Sequence, residues 1–274
     1  MRLHFKEFGR GEPLVVLHGL FGSSDNWLGV APRLAESFHV FILDLRNHGQ
    51  SPHSGEMNYP LMAADVAEFL DTRKLESAFV LGHSMGGKVA MQLALDFPVR
   101  VEKLVVADMS PRAYPPEYED FFPALLALDL NNPHSRREME GALAPAIPSL
   151  AIRRFLLKNL GHNPDGTYFW KLNLRGIQSN YPRLSEAVAG ERPFLKPALF
   201  ISGGKSDYVL ETDKPEIRNL LPGAQFHAIL QAGHWLHADA PEEFVQSVIG
   251  FLNAGGGLSQ SGKTAAAGLT RNKG

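Results

Sequence analysis

Residues 82–86 read Gly-His-Ser-Met-Gly, and their surroundings restrict the fold more than any other stretch of the chain. An apolar run at 79–81 precedes the pentapeptide, and a helical pattern follows over 86–97. Gly-x-Ser-x-Gly in that setting is a sharp strand-to-helix turn. Ser84 stands at its apex in a strained backbone conformation, and glycines two residues to either side leave room for the crowding. Its hydroxyl is presented above a sheet, beside a helix N-terminus that favours developing negative charge. Ser84 is therefore the expected nucleophile. His83 is expected to pack or hydrogen-bond rather than to act as the base.

The rest of the chain fits such a scaffold. Apolar runs at 14–17, 40–43, 104–107, 198–201 and 226–230 alternate with helical patterns near 27–37, 61–73, 215–221 and 241–252. Several runs lack polar alternation, as expected of strands covered on both faces. Alternating β and α segments predict a mostly parallel sheet flanked by helices, with right-handed crossovers. The rhythm breaks between Pro111 and Pro193, where prolines, aromatics and helical patterns at 121–128, 136–143 and 149–160 appear and no good strand does. The expected organisation is a core from 1–110 and 191–253, a helical cap inserted at 111–190, and a flexible Gly/Ala/Ser-rich tail at 254–274.

A base for Ser84 is expected after the last strand. His234 lies there, in Ala232-Gly233-His234-Trp235. The acid must hold the imidazole tautomer and stabilise the imidazolium. Asp108 at the end of the 104–107 run and Asp207 after the 198–201 run are the two candidates, and Asp108 is favoured. The usual late slot is three residues beyond a glycine. Counted from Gly203 it holds Ser206, so Asp207 comes one residue late. The loop His18-Gly19-Leu20-Phe21 after the first core strand places the Leu20 amide, with that of Met85, as the expected oxyanion donors. His18, Arg46, Asn47 and His48 are expected to brace loops. Phe21 and Trp235 are the leading substrate-binding residues. Trp27, Phe121, Phe122, Phe155, Trp170 and Tyr181 are further candidates for the pocket.

Composition narrows the alternatives. Among 274 residues there is no cysteine, which excludes disulfides and thiolate catalysis and fits a reducing, cytoplasmic setting. The net charge of −2 comes without a basic stripe, so nucleic acid is not an expected partner. No secretory h-region or membrane-spanning run is evident. No metal or organic cofactor is expected, since His234 and His237 lack an evident third ligand. The oligomeric state is not readable.

Further segments carry a family resemblance. They are Asp44-Leu45-Arg46-Asn47-His48-Gly49-Gln50-Ser51, Gly86-Gly87-Lys88 after the nucleophile turn, Asp108-Met109-Ser110-Pro111, the 203–209 segment and Ala232-Gly233-His234-Trp235-Leu236-His237. With them the chain resembles the small bacterial esterase/acyl-CoA thioesterase group of α/β-hydrolases and its mitochondrial abhydrolase relatives. The resemblance implies the α/β-hydrolase fold, Asp108 as acid, and hydrolysis of short- to medium-chain acyl esters or thioesters by a serine hydrolase. A cofactor-free perhydrolase or haloperoxidase, a C–C bond hydrolase and a small-molecule receptor on the same fold are the alternatives.

Overall fold

The computed structural model describes residues 1–132 and 135–254. The expected tail from residue 255 on lies outside the described residues.

Seven strands form the main sheet. In chain order they are β1 (Phe5–Phe8), β2 (Pro13–Leu17), β3 (His39–Leu43), β4 (Ala78–His83), β5 (Val101–Ala107), β8 (Ala198–Gly203) and β9 (Ala224–Ile229), with β6 (Leu160–His162) and β7 (Tyr168–Trp170) set apart in a hairpin. Across the main sheet the order is β1-β3-β2-β4-β5-β8-β9. All pairs are parallel except β1 with β3. The nucleophile strand β4 therefore lies at the centre of the sheet, and all six of its residues are buried.

The apolar runs explain the layering. In β2, Val15 and Leu17 join one core cluster, while Leu14 and Val16 join the other. In β5, Leu104 and Val106 separate from Val105 and Ala107 in the same way. Every second side chain points to the opposite face, so a run that is apolar throughout must be covered twice. Helices α2 (Tyr59–Thr72) and α3 (Met85–Asp96) cover the first face, and α1 (Ala31–Leu34) and the last helix, α8 (Pro241–Asn253), cover the second. Asn58 caps α2 by accepting the Leu61 amide at 2.9 Å, and Pro60 and Pro241 sit where a helix has no need of their missing N–H. Truncating a fully buried Leu81 to Ala would cost about 2–5 kcal/mol.

Some details differ from the sequence reading. The 27–37 pattern breaks into a 3₁₀ turn, Ser24–Trp27, and the short α1, with Gly29 between them. Strand β1 was not apparent in the sequence because Lys6 and Glu7 interrupt its apolar character at the half-exposed sheet edge. Strand β9 ends at Ile229, leaving Leu230 exposed.

Between β5 and β8 the chain forms α4 (Phe121–Leu126), α5 (Arg136–Ala142), α6 (Leu150–Leu157), the β6–β7 hairpin and α7 (Leu174–Ser185). The hairpin corrects the expectation that this insert lacks strands. The helix expected over 149–160 ends at Leu157, and extended chain begins at Leu160. Helix α7 was missed in the sequence because its internal Pro182 argues against a helix, although Leu174, Ile177, Tyr181 and Leu184 recur at helical spacing.

Candidate active site

The turn after β4 has the expected strain. Ser84 has φ 53° and ψ −124°, a region disfavoured for residues bearing a Cβ. Its glycines are required by contact. A Cβ on Gly82 would run into the Gly86 carbonyl, and one on Gly86 would lie 2.5 Å from the His18 carbonyl oxygen. The Ser84 amide donates to Ala107 O at 3.1 Å, and the Ser84 carbonyl accepts from Gly87 and Lys88. The nucleophile candidate is thus tied at once to the neighbouring strand and to the first turn of α3.

Of the five non-glycine residues with positive φ among the described residues, Phe21, Ser84 and Asp108 border this site. Such strain persists where surrounding structure over-determines the backbone. Asp108 closes β5 with φ 49° and is fully buried. Its Oδ1 accepts from Gly203 N–H at 2.9 Å, and its Oδ2 accepts from His234 Nδ1 at 2.7 Å. The Ser206 hydroxyl also donates to Oδ2. With its Nδ1–H committed to Asp108, His234 leaves Nε2 available as a proton acceptor. Asp207 is exposed, and among the described residues only its backbone carbonyl is engaged, by Arg112 at 3.3 Å. The structure therefore brings Asp108, not Asp207, to His234.

Sequence reasoning left Ser206 as a vacant acid slot. In the folded chain its hydroxyl reaches the carboxylate offered by the neighbouring strand, so both acid positions converge on one hydrogen-bond network. Tyr208 was also missed. It stacks on His234 with ring centroids 4.0 Å apart. His83 matches its expected role, since its Nε2–H donates to His234 O at 2.7 Å. Burial, reinforced by the neighbouring histidines, holds His83 well below the ordinary histidine range and keeps it neutral.

The loop after β2 is held by two neutral histidines. His18 donates from Nδ1 to Gly19 O at 2.8 Å and accepts the Leu45 amide at Nε2. His48 donates from Nδ1 to Arg46 O at 2.9 Å and accepts the Phe21 amide at Nε2, 3.2 Å away. Burial pushes the His48 pKa down to about 3, and burial also lowers that of His18. Asn159 of the insert donates to Phe21 O at 2.7 Å. Arg46 turns instead to Asp65 on α2, with Nε–Oδ2 at 2.6 Å. Asn47 accepts the Ser54 amide at 2.7 Å. The Leu20 and Met85 amides have no protein acceptor among the described residues, leaving two donors beside Ser84.

Ser84, His234, Leu20, Phe21 and Trp235 line a cavity of about 220 Å³. Trp27 and, from the insert side, Phe121, Ile152 and Phe155 complete much of its wall. Of the remaining aromatic candidates, Tyr181 lines a second cavity that also reaches Ser84. Phe122 is buried in the core, and Trp170 borders neither cavity. His237 stacks on Trp27 at 4.5 Å, and burial lowers its pKa to about 4. No group of three or more potential metal ligands occurs among the described residues. No described helix is long and apolar enough to cross a membrane.

The site can be set beside known proteins. The alpha/beta hydrolase fold family matches residues 12–241. The sn-1-specific diacylglycerol lipase ABHD11 of Xenopus tropicalis is 40% identical over 252 residues, covering 89% of this chain and 79% of that protein. Esterase YbfF of Escherichia coli K12 is 36% identical over 245 residues, covering 88% of this chain and 93% of that one. A solved structure described as a marine microorganism esterase superposes with a TM-score of 0.88 at 41% identity, covering 91% of this chain and 99% of the other.

Proposed function

Because the chain belongs to the α/β-hydrolase fold family and is a serine hydrolase of the esterase/lipase kind, we propose that it cleaves short- to medium-chain acyl esters, and acyl thioesters, through a Ser84–His234–Asp108 triad. The observation carrying this reading is the 2.7 Å bond from His234 Nδ1 to the buried Asp108 carboxylate, with the strained Ser84 lining the same cavity as His234.

His234 Nε2 takes the Ser84 proton as Oγ attacks the carbonyl carbon. The Leu20 and Met85 amides receive the oxyanion, each such donor being worth about 2.7–4 kcal/mol of transition-state stabilisation. His234 then passes the proton to the leaving alcohol or thiol, and the acyl group stays on Ser84 as an ester. Water, deprotonated by the same nitrogen, repeats the sequence and releases the acid. Asp108 stays ionised throughout, orienting the ring and stabilising the imidazolium. The Gly203 amide holds the other oxygen of that carboxylate, and the Ser206 hydroxyl shares Oδ2 with His234. The scheme uses no cofactor.

The 111–190 insert acts as a cap in this reading. It contributes apolar walls over Ser84, and such walls exclude water and strengthen the electrostatics at the reacting carbon. A cysteine-free chain of this kind suits the cytoplasm. The test is a series of p-nitrophenyl esters and acyl-CoA thioesters assayed with wild type and Ser84→Ala. We expect turnover of esters, and its loss by about 10⁵-fold or more in a variant that remains folded. Retained turnover in Ser84→Ala would overturn the reading.

A further inference from the structure

Ser84 stands between two cavities of different size. The one already described measures about 220 Å³, and a second measures about 60 Å³. The second runs past Met85 to Lys88, one helical turn further along α3, and is walled by Tyr59, Tyr114, Tyr181 and Tyr208. Tyr118 and Leu20 border both cavities. His234 lines the larger one alone.

That asymmetry assigns the two halves of an ester. The tetrahedral carbon on Ser84 carries an oxyanion, a leaving group and an acyl chain. The oxyanion faces the Leu20 and Met85 amides. The leaving oxygen or sulfur must receive its proton from His234 Nε2, because Nδ1 is engaged by Asp108. The leaving group therefore departs on the His234 side, into the larger cavity. The direction left for the acyl chain is the smaller one.

The walls of the smaller cavity are fixed by their hydroxyls. Tyr59 donates to Leu184 O at 2.5 Å, and Tyr114 donates to Tyr208 O at 2.5 Å. Tyr181 accepts the Tyr118 amide at 2.9 Å, and the Tyr118 and Tyr208 hydroxyls bond each other at 2.9 Å. Lys88 Nζ donates to Glu186 O at 2.5 Å and lies over the Tyr59 and Tyr114 rings. Enlarging this cavity would break several of these bonds together. The larger cavity is bounded by Ile152, Phe155 and Trp235, which are only half-buried, and its rim includes the exposed Ala151, Lys158 and Ala238. Both cavities reach solvent, the smaller one past the exposed Pro115 and Glu117, so what separates them is volume, about 220 Å³ against about 60 Å³, and the bonded tyrosine wall.

We infer that the tyrosine-walled cavity beside Lys88 is the acyl pocket and limits the acyl group to a short chain, while the larger cavity takes the leaving group and admits long ones. The preferred substrate class is then an ester or thioester of a short acid with a large apolar alcohol or thiol. This assignment rests on the Ser84–His234 reading above and narrows its acyl range.

The test varies the two halves separately. With p-nitrophenol as the constant leaving group, kcat/KM should fall more than about tenfold from butyryl to octanoyl, since a site that cannot yield rejects surplus methylenes. With acetyl as the constant acyl group, kcat/KM should hold or rise from ethyl through butyl to octyl acetate. Tyr181→Ala should raise octanoyl relative to butyryl turnover by about tenfold and leave the rank order of the acetate series as in wild type. A second measurement needs no variant. On acetyl-enzyme formed by wild type from p-nitrophenyl acetate, octanol should capture the acetyl group better than ethanol does at equal concentration. Octanoyl esters preferred over butyryl, with octyl acetate rejected and octanol a poor acceptor, would overturn the assignment. If hydrolysis depends on Ser84 in that case, only the partition fails. If Ser84→Ala hydrolyses as wild type does, the reading of the site itself has failed.

Discussion

The two regions that meet at Ser84 are built differently. The sheet side presents Ser84, Asp108 and His234 from the turns and loops that follow β4, β5 and β9, held by bonds to the neighbouring strands and to one another. The insert side presents aromatic and aliphatic surface, from Tyr118 through Phe155 to Tyr181, fixed by contacts between distant residues. Asp108 accepts bonds on both oxygens inside a core in which its side chain is fully enclosed. Phe155 meets Trp235 at a ring separation of 5.8 Å on a half-exposed surface. In our account the first region supplies chemistry and the second supplies shape. Damage to the first should appear in kcat, and damage to the second in KM and in substrate range.

The largest expected contrast is between the two aspartates. Asp108→Asn should lower kcat by about 10⁴-fold, because an amide favours the wrong imidazole tautomer. Asp207→Asn should cost less than about tenfold, the ordinary range for a surface change of under about 1 kcal/mol. Steady-state kinetics on the two purified variants decides it. Equal losses would mean that the convergence on His234 does not describe the working enzyme.

A smaller effect tests Ser206. Its hydroxyl is one of three donors to the Asp108 carboxylate among the described residues, the others being the Gly203 amide and His234. A hydrogen bond to a charged group is worth about 1.5–3 kcal/mol, so Ser206→Ala should lower kcat about tenfold to a hundredfold with KM little changed. A purely structural role would lower the melting temperature and leave kcat alone. Phe155→Ala on the insert should do the opposite to Ser206→Ala, raising KM about threefold to tenfold while kcat stays within about twofold. A kcat collapse in Phe155→Ala would erase the distinction between the two regions.

The mildest test is acid stability. His48 and His237 are buried, and burial lowers their pKa values from 6.5 to about 3 and about 4. Below pH 6.5 the unfolded chain binds protons that the folded chain does not. These two groups therefore leave stability intact above pH 6.5 and reduce it as the pH falls through that value, each by at most about 1.4 kcal/mol per pH unit. Melting curves from pH 7 to 5 should show Tm falling, with a shallower slope in His48→Gln. An unchanged slope in that variant would remove His48 from the account.

The same contrast decides what could be read from the sequence. Ser84 was legible because a tight strand-to-helix turn demands glycines at Gly82 and Gly86, a local requirement written in adjacent residues. Asp108 was legible because it directly follows an apolar run, and His234 because it lies in the loop after the last one. Ser206 and Tyr208 were not, because their roles depend on β8 lying beside β5 and on a loop folding back over His234. His48 was anticipated only as a loop brace. Its partner, the Phe21 amide, is 27 residues away along the chain. The β6–β7 hairpin, with three residues in each strand, is too short to set up a period. In α7 the helix survives Pro182 by burying Leu174, Ile177, Tyr181 and Leu184 on one face, and propensity alone argues against it.

The central claim is that Ser84 carries the acyl group. The direct measurement is covalent labelling of the wild-type chain with a fluorophosphonate, followed by peptide mapping by mass spectrometry. The account predicts one modified residue, Ser84, with labelling abolished in Ser84→Ala and strongly slowed in His234→Ala. A label on a different serine, or ester hydrolysis that survives complete modification of Ser84, would contradict it.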